Sequence, residues 1–198
     1  MNNRYKQLLR LALTAPLLLP AITHTMSEYD RWVMSRGLEN PDRHNERFAD
    51  GTRPIHQAAR WGNTFIVSQL LSAGQADPCC HDRLRSTPLH SAAGGFGSIS
   101  ALSLLVRDPR VDQYALDRYG RTPLHRAAQI VDPDNVALLV NTNADIEAVD
   151  NHARKPLHYA VSVALPQNDP AWASAKQSLL TKVVRSLLAH GTDMRAGL

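Results

Sequence analysis

Four short segments recur along this 198-residue chain at almost constant spacing. They are Arg53-Pro54-Ile55-His56-Gln57-Ala58-Ala59, Thr87-Pro88-Leu89-His90-Ser91-Ala92-Ala93, Thr122-Pro123-Leu124-His125-Arg126-Ala127-Ala128 and Lys155-Pro156-Leu157-His158-Tyr159-Ala160-Val161. Their prolines are 34, 35 and 33 residues apart. A fixed period of this length means one helical unit copied along the chain, each copy burying its apolar face against its neighbours. Each segment reads as a helix start. Proline at the first turn has no N–H to leave unpaired and a φ already suited to helix. Thr87 and Thr122 stand before it as N-caps. The aliphatic residue and paired alanines then give one small apolar face that a neighbouring helix can approach closely.

A second helix is expected in each copy. Its apolar positions are Ile66, Val67, Leu70 and Leu71 in the first and Leu102, Leu104 and Leu105 in the second. In the third they are Val136, Leu138, Leu139 and Val140, and in the fourth Val183, Val184, Leu187 and Leu188, at the spacing of a helix face. Gly74, Asn143 and Gly191 tolerate positive φ and are expected to end three of these helices. The second copy has Asp108-Pro109 instead, so an irregular exit is expected. The third copy has Val131 in place of an inter-helix glycine, then a helix start at Asp132-Pro133-Asp134. The fourth carries a 15-residue insertion within Val163 to Lys182. There Leu165 to Pro170 reads as loop and Ala171 to Leu188 as a lengthened helix.

The period and the Thr-Pro-Leu-His-x-Ala-Ala motif resemble the ankyrin repeat, over residues 50–195. The resemblance implies an all-α solenoid of paired antiparallel helices with short finger loops. Its four repeats would run at about 50–82, 83–117, 118–150 and 151–195, behind an N-terminal capping half-repeat at 22–49. Within that cap, Arg31-Trp32-Val33-Met34-Ser35-Arg36-Gly37 imitates a second helix and its closing glycine. The resemblance further implies that Pro54, Pro88, Pro123 and Pro156 and the histidines His56, His90, His125 and His158 are structural. The rings would bond to backbone between repeats.

The first thirty residues differ from the rest. No acid occurs before Glu28, Arg4, Lys6 and Arg10 supply positive charge, and Leu11 to Ile22 is apolar apart from Thr14. This fits a secretory signal peptide over residues 1–21, although no Ala-x-Ala cleavage site is present. The other reading is an N-terminal capping helix, because Ala15-Pro16-Leu17-Leu18 falls where the repeat frame would start a first helix. Cleavage means an exported protein, periplasmic or secreted; retention means a cytoplasmic one. Without residues 1–21 the net charge falls from +4 to +1. The charge is spread, with no block of like sign, which argues against a nucleic-acid binder. No apolar run reaches membrane-spanning length, so no stable membrane span is expected. Hydrophobic residues at 43% suffice for a core, and aromatics at 6% make it an aliphatic one.

Catalytic chemistry finds little footing. The four repeated histidines invite a metal, but neighbouring helices stand ~8–10 Å apart, too far for rings to share an ion at ~2 Å. Adjacent Cys79 and Cys80 make a poor chelate and a strained disulfide, and are read as loop residues, one packed and one exposed. Gly94-Gly95-Phe96-Gly97 follows a helix rather than a strand, so it is read as a loosened turn and not a phosphate cradle. No enzyme, cofactor or metal site is expected.

The surface carries the functional reading. In ankyrin stacks the binding face is implied to be the concave side, made of finger tips and exposed first-helix positions. Three successive loops here carry an acid followed by bases: Asp82-Arg83-Leu84-Arg85, Asp117-Arg118-Tyr119-Gly120-Arg121 and Asp150-Asn151-His152-Ala153-Arg154-Lys155. With Trp61, Arg126, Gln57, Arg60 and Tyr159 on the first helices, they supply the Arg, Tyr and Trp side chains enriched at binding hot spots. The candidate partner-binding residues are Trp61, Arg83, Arg85, Arg118, Tyr119, Arg121, Arg126, Arg154 and Lys155, centred on Arg118, Tyr119 and Arg121. The expected function is non-catalytic binding of a protein partner with an acidic surface patch, by a chain that is a monomer on its own. An immunity-type inhibitor in a periplasm, a secreted effector acting on a host protein and a cytosolic adaptor are the readings carried forward.

Overall fold

Each Pro-x-His segment starts a helix. The computed structural model describes residues 39–72, 74, 76–95, 99–162 and 170–193. The two readings of residues 1–21, the half-repeat helix at 27–37 and the loop from Leu165 to Asp169 lie outside them. Eight helices are present among the described residues, with no strand. The first helices of the copies are α1 (Pro54–Arg60), α3 (Pro88–Ala93), α5 (Pro123–Ile130) and α7 (Pro156–Ser162). The second helices are α2 (Thr64–Ser72), α4 (Ile99–Arg107), α6 (Pro133–Asn141) and α8 (Pro170–Asp193). First helices pack on first helices and second on second, in two parallel rows, so the fold is the all-α solenoid that the resemblance implies.

The core lies between the rows and is aliphatic. Ile55, Leu89 and Leu124 from the first helices meet Val67, Leu70, Leu102, Leu105, Val136 and Leu139 from the second, all of them buried. Ala58, Ala59, Ala92, Ala93, Ala127 and Ala128 are buried too, and their small side chains let the first row stack closely. In each expected leucine pair only one residue is deeply buried. Leu71, Leu104, Leu138 and Val184 pack at the edge of the core, and Leu188 faces solvent. Residues one apart on a helix point about 100° apart, so in each of these pairs one side chain points into the core and the other to its edge or to solvent.

Helix ends follow their residues with two exceptions. Gly74 and Asn143 adopt the left-handed conformation, at φ 67° and 66°. Gly191 does not end its helix, since α8 runs on to Asp193 and begins at Pro170, inside the expected loop. Glycine permits the left-handed turn without compelling it, and Pro170 is well suited to a first helical turn. Val131 takes the left-handed conformation itself, at φ 58° and ψ 42°, while buried. Asp132 then caps α6, its Oδ1 accepting from the N–H groups of Asp134 and Asn135. After α4, Asp108 pairs with Arg110, whose guanidinium also reaches the Leu71 carbonyl at the end of α2.

Gly95 sits in a close contact, and Phe96 and Gly97 of the expected turn lie outside the described residues. A Cβ there would lie 2.3 Å from the Arg60 carbonyl oxygen and 2.7 Å from that of Ser91. Only glycine lets the end of α3 press against the end of α1 in this way.

Candidate functional site

The fingers are built by their acids. Asp82, Asp117 and Asp150 occupy one equivalent position. Each Oδ1 accepts two backbone N–H groups: Leu84 and Ser86 for Asp82, Tyr119 and Arg121 for Asp117, His152 and Arg154 for Asp150, at 2.7–3.0 Å. The backbone closes each loop, with Asp82, Asp117 and Asp150 donating N–H to Ser86, Arg121 and Arg154 carbonyls. At the tip each loop needs a residue with positive φ. The series is Gly51 at 82°, Arg85 at 57°, Gly120 at 74° and Ala153 at 57°. Two glycines hold this position at no steric cost, whereas Arg85 and Ala153 hold it with a Cβ. At Gly120 a Cβ would also lie 2.4 Å from Asn151 Oδ1.

Successive fingers are bonded to each other. The Arg118 N–H donates to the Leu84 carbonyl at 2.8 Å, and the Asn151 N–H to the Tyr119 carbonyl at 3.0 Å. The tips therefore form one connected edge.

The histidines connect the rows of fingers to the helices. Nδ1 of His56, His90, His125 and His158 accepts the N–H of the residue three before it: Arg53, Thr87, Thr122 and Lys155. Nε2 of the first three donates across to the next repeat, to the carbonyls of Ser86, Arg121 and Arg154, at 3.0, 2.8 and 2.9 Å. The neutral Nε2–H tautomer satisfies both ends of the ring. Burial lowers all three pKa values below the ordinary 6.5, against the pull of the carbonyl bonds, and brings His90 to about 4. His158 is exposed, and among the described residues no finger follows it.

Several of the basic residues expected to meet a partner already have one within the chain. Arg121 pairs with Asp117 at 2.7 Å, with side chains 11% and 0% exposed. Burial raises the Asp117 pKa, but the bonds from Arg121 and the loop N–H groups outweigh it and hold the carboxyl below its usual range. Arg154 pairs with Asp150, and the Tyr159 hydroxyl donates to the same carboxylate at 2.6 Å, so Tyr159 is buried rather than presented. Lys155 pairs with Glu147. Sequence reasoning counted these charges as a patch, but an acid four residues before a base in a closed finger bonds it.

Arg154 stays exposed although paired, and the exposed residues outside these ion pairs form a smaller set. Arg83, Arg85 and Arg118 are exposed, as are Leu84, Tyr119 and Trp61. The Tyr119 ring is flanked by the guanidinium groups of Arg121 at 4.6 Å and Arg118 at 5.6 Å, which hold it against the finger edge.

Arg126 is placed differently. It projects from α5 into a cleft of about 120 Å³ between the fingers and the first helices, lined also by Gln57, Arg60, Asp82, Ser86 and Ser91. Its Cβ lies 3.3 Å from where a Cβ on Gly94 would be. Its Nε is buried without a hydrogen-bond partner, and Nη1 makes only a long bond to Gln129 at 3.4 Å. Burial lowers its pKa, and Arg121 adds to that. The small residues Ser91 and Gly94, one repeat back from Arg126 and Gln129, are the sequence signal for this cleft.

Cys80 is buried beside His56, its thiol pushed up to about 12 by desolvation, and Cys79 donates to the Arg110 carbonyl. Among the described residues no three His, Cys, Asp or Glu side chains are placed to hold a metal ion. No helix among them is long and apolar enough to cross a membrane. A family model of ankyrin repeats in three copies matches residues 24–115 and 92–196. No curated protein matches the chain.

Proposed function

Because the chain belongs to the ankyrin-repeat family, a family of protein–protein interaction modules that is typically non-catalytic, we propose that it docks one protein partner on its finger-side face. The observation that carries this reading is the connected finger edge. The Leu84–Arg118 and Tyr119–Asn151 backbone bonds fix the tips before a partner arrives, so little loop ordering opposes binding. On that edge Leu84 and Tyr119 offer exposed apolar area next to the free charges of Arg83, Arg85 and Arg118. An aromatic ring held between guanidinium groups gives rigid contact area at low entropic cost.

We further propose that docking inhibits or stabilises the partner outside the cytoplasm, as an immunity-type inhibitor in a periplasm would. The support is the acid-free basic start and the apolar run from Leu11 to Ile22. The test is affinity capture from the native compartment with the wild-type chain and with Tyr119→Ala, together with N-terminal sequencing of the recovered protein. A partner held by wild type and lost by Tyr119→Ala supports docking, and a start beyond residue 20 supports export. Recovery from Met1 would favour the cytosolic adaptor, and a captured host protein the secreted effector.

A further inference from the structure

The cleft around Arg126 holds two buried donors without acceptors. One is Nε of Arg126, and the other is the hydroxyl of Ser86, a residue only 4% exposed. Both residues line the same cleft, with these two atoms set behind its surface and the Arg126 Nη2 group left facing it without a bond. A buried polar group left unpaired is destabilising, more so when it is charged, so two in one place are unusual in a finished core. The other cations and anions do not relieve them. Asp117 is committed to Arg121, and Asp82 Oδ1 is taken by the finger N–H groups. Arg60 lies at the rim and joins no ion pair, so Arg60, Arg126 and Asp82 leave the lining net positive. The histidines in the wall are neutral, with both ring nitrogens already bonded.

Size narrows the occupant. Pockets for small molecules and cofactors run to about 300–1,000 Å³, well above this one. About 120 Å³ is somewhat below the ~150 Å³ cavity that holds one benzene, which is room for one short acidic side chain. The cleft opens between Leu84, on the finger edge, and the first helices, so it is continuous with the docking face.

We propose that this cleft receives an aspartate or glutamate side chain of the protein partner, its carboxylate accepting from the Nη groups of the Arg126 guanidinium. The proposal rests on the docking reading above and names the chemistry of its anchor. Charge-assisted bonds of this kind are the strong ones in an interface, and arginine is suited to them.

The test follows the Arg126 Nε–Hε resonance and the Ser91 and Gly94 amides of the full chain by NMR. The probes are acetyl-Ala-Glu-Ala-amide, the matching Gln peptide and inorganic phosphate, each titrated alone. The Glu peptide is expected to move these signals saturably, and the Gln peptide to leave them still. Arg126→Gln should weaken the Glu peptide at least tenfold, with amide dispersion confirming that the variant is folded. Arg126→Lys, which keeps the charge, should restore part of the loss. Equal shifts from the Gln peptide, or Glu-peptide shifts that survive Arg126→Gln, would overturn the anchor. Phosphate binding as tightly as the Glu peptide would also overturn it, by making the cleft a general anion site. The docking reading is judged separately, by whether capture depends on Tyr119.

Discussion

The Nε2 atom of His90 lies 2.8 Å from the main-chain oxygen of Arg121, 31 residues further along the chain. On its other side the ring accepts the Thr87 N–H, so a proton added at Nδ1 would face a donor. The unfolded ring takes that proton below about pH 6.5, whereas the folded ring resists it until about 4. Between those values the unfolded chain binds more protons, and stability falls as pH drops through that window. His90 alone should contribute about 3 kcal/mol of this loss, at ~1.36 kcal/mol per unit. Urea midpoints at pH 7.5, 6, 5 and 4 should fall steadily, with a shallower slope in His90→Gln. A flat profile in the wild type would contradict the neutral, doubly bonded ring.

Arg85 stands at a finger tip where Gly51 and Gly120 hold the same left-handed conformation. Arg85→Gly should therefore raise stability. The left-handed strain of ~1–2 kcal/mol is removed, and glycine's extra freedom in the unfolded chain returns ~0.4–1 kcal/mol of it. Gly120→Ala should do the opposite, by at least ~1–2 kcal/mol, because its Cβ would also strike Asn151. Thermal melts of the two variants check both signs. If Arg85→Gly gains stability but loses partner affinity, the strain is retained for contact.

Arg118 and Arg121 flank the same ring but differ in what they hold. Arg121→Ala removes two charged bonds from a fully buried carboxylate and should cost about 1.5–3 kcal/mol. Arg118→Ala, at an exposed position, should change stability by less than ~0.5 kcal/mol. Affinity measurements on a fingertip should therefore use Arg118 and Tyr119, because loss of binding in Arg121→Ala would mix contact with unfolding.

Leu124 is buried at the centre of the stack. Leu124→Ala should cost ~2–5 kcal/mol through lost burial and the cavity left behind. Hydrogen exchange should quicken in α3 and α7 as well as α5, because repeats are stabilised by their neighbours. A metal chelator should leave the wild-type melting temperature unchanged. A large drop would point to ligands among the histidines or Cys79 and Cys80.

The parts of this fold that were legible in the sequence are those set by residues close in the chain. Proline, threonine and histidine within four positions determine a helix start, and the same four positions repeated give the solenoid. The second helices were readable as faces, but adjacent apolar pairs such as Leu187 and Leu188 could not be sorted, since that depends on which residue meets α6. The finger charges were legible as a pattern and not as bonds. Asp117 and Arg121 meet only once the chain has turned through the left-handed residue Gly120, a geometry the residue types do not display. Arg126 was legible as a candidate, but its burial depends on Ser91 and Gly94 in the preceding repeat. Aligning the copies, so that position 94 stands opposite 129 and position 91 opposite 126, would have exposed the gap that it fills.

The histidine bonds all point one way along the stack. The rings of His56, His90 and His125 reach forward to the finger of the repeat that follows, and none of these three reaches back. Trimming the chain from its two ends is therefore not equivalent. Removing the first repeat strands a carbonyl, which water can satisfy, and leaves every remaining ring with its acceptor. Removing the last strands the Nε2–H of His125 in the interior of the repeat before it. Fraying from the C-terminal side thus passes a penalty inward, one repeat at a time, and the molecule has a grain, like wood that splits more readily from one end.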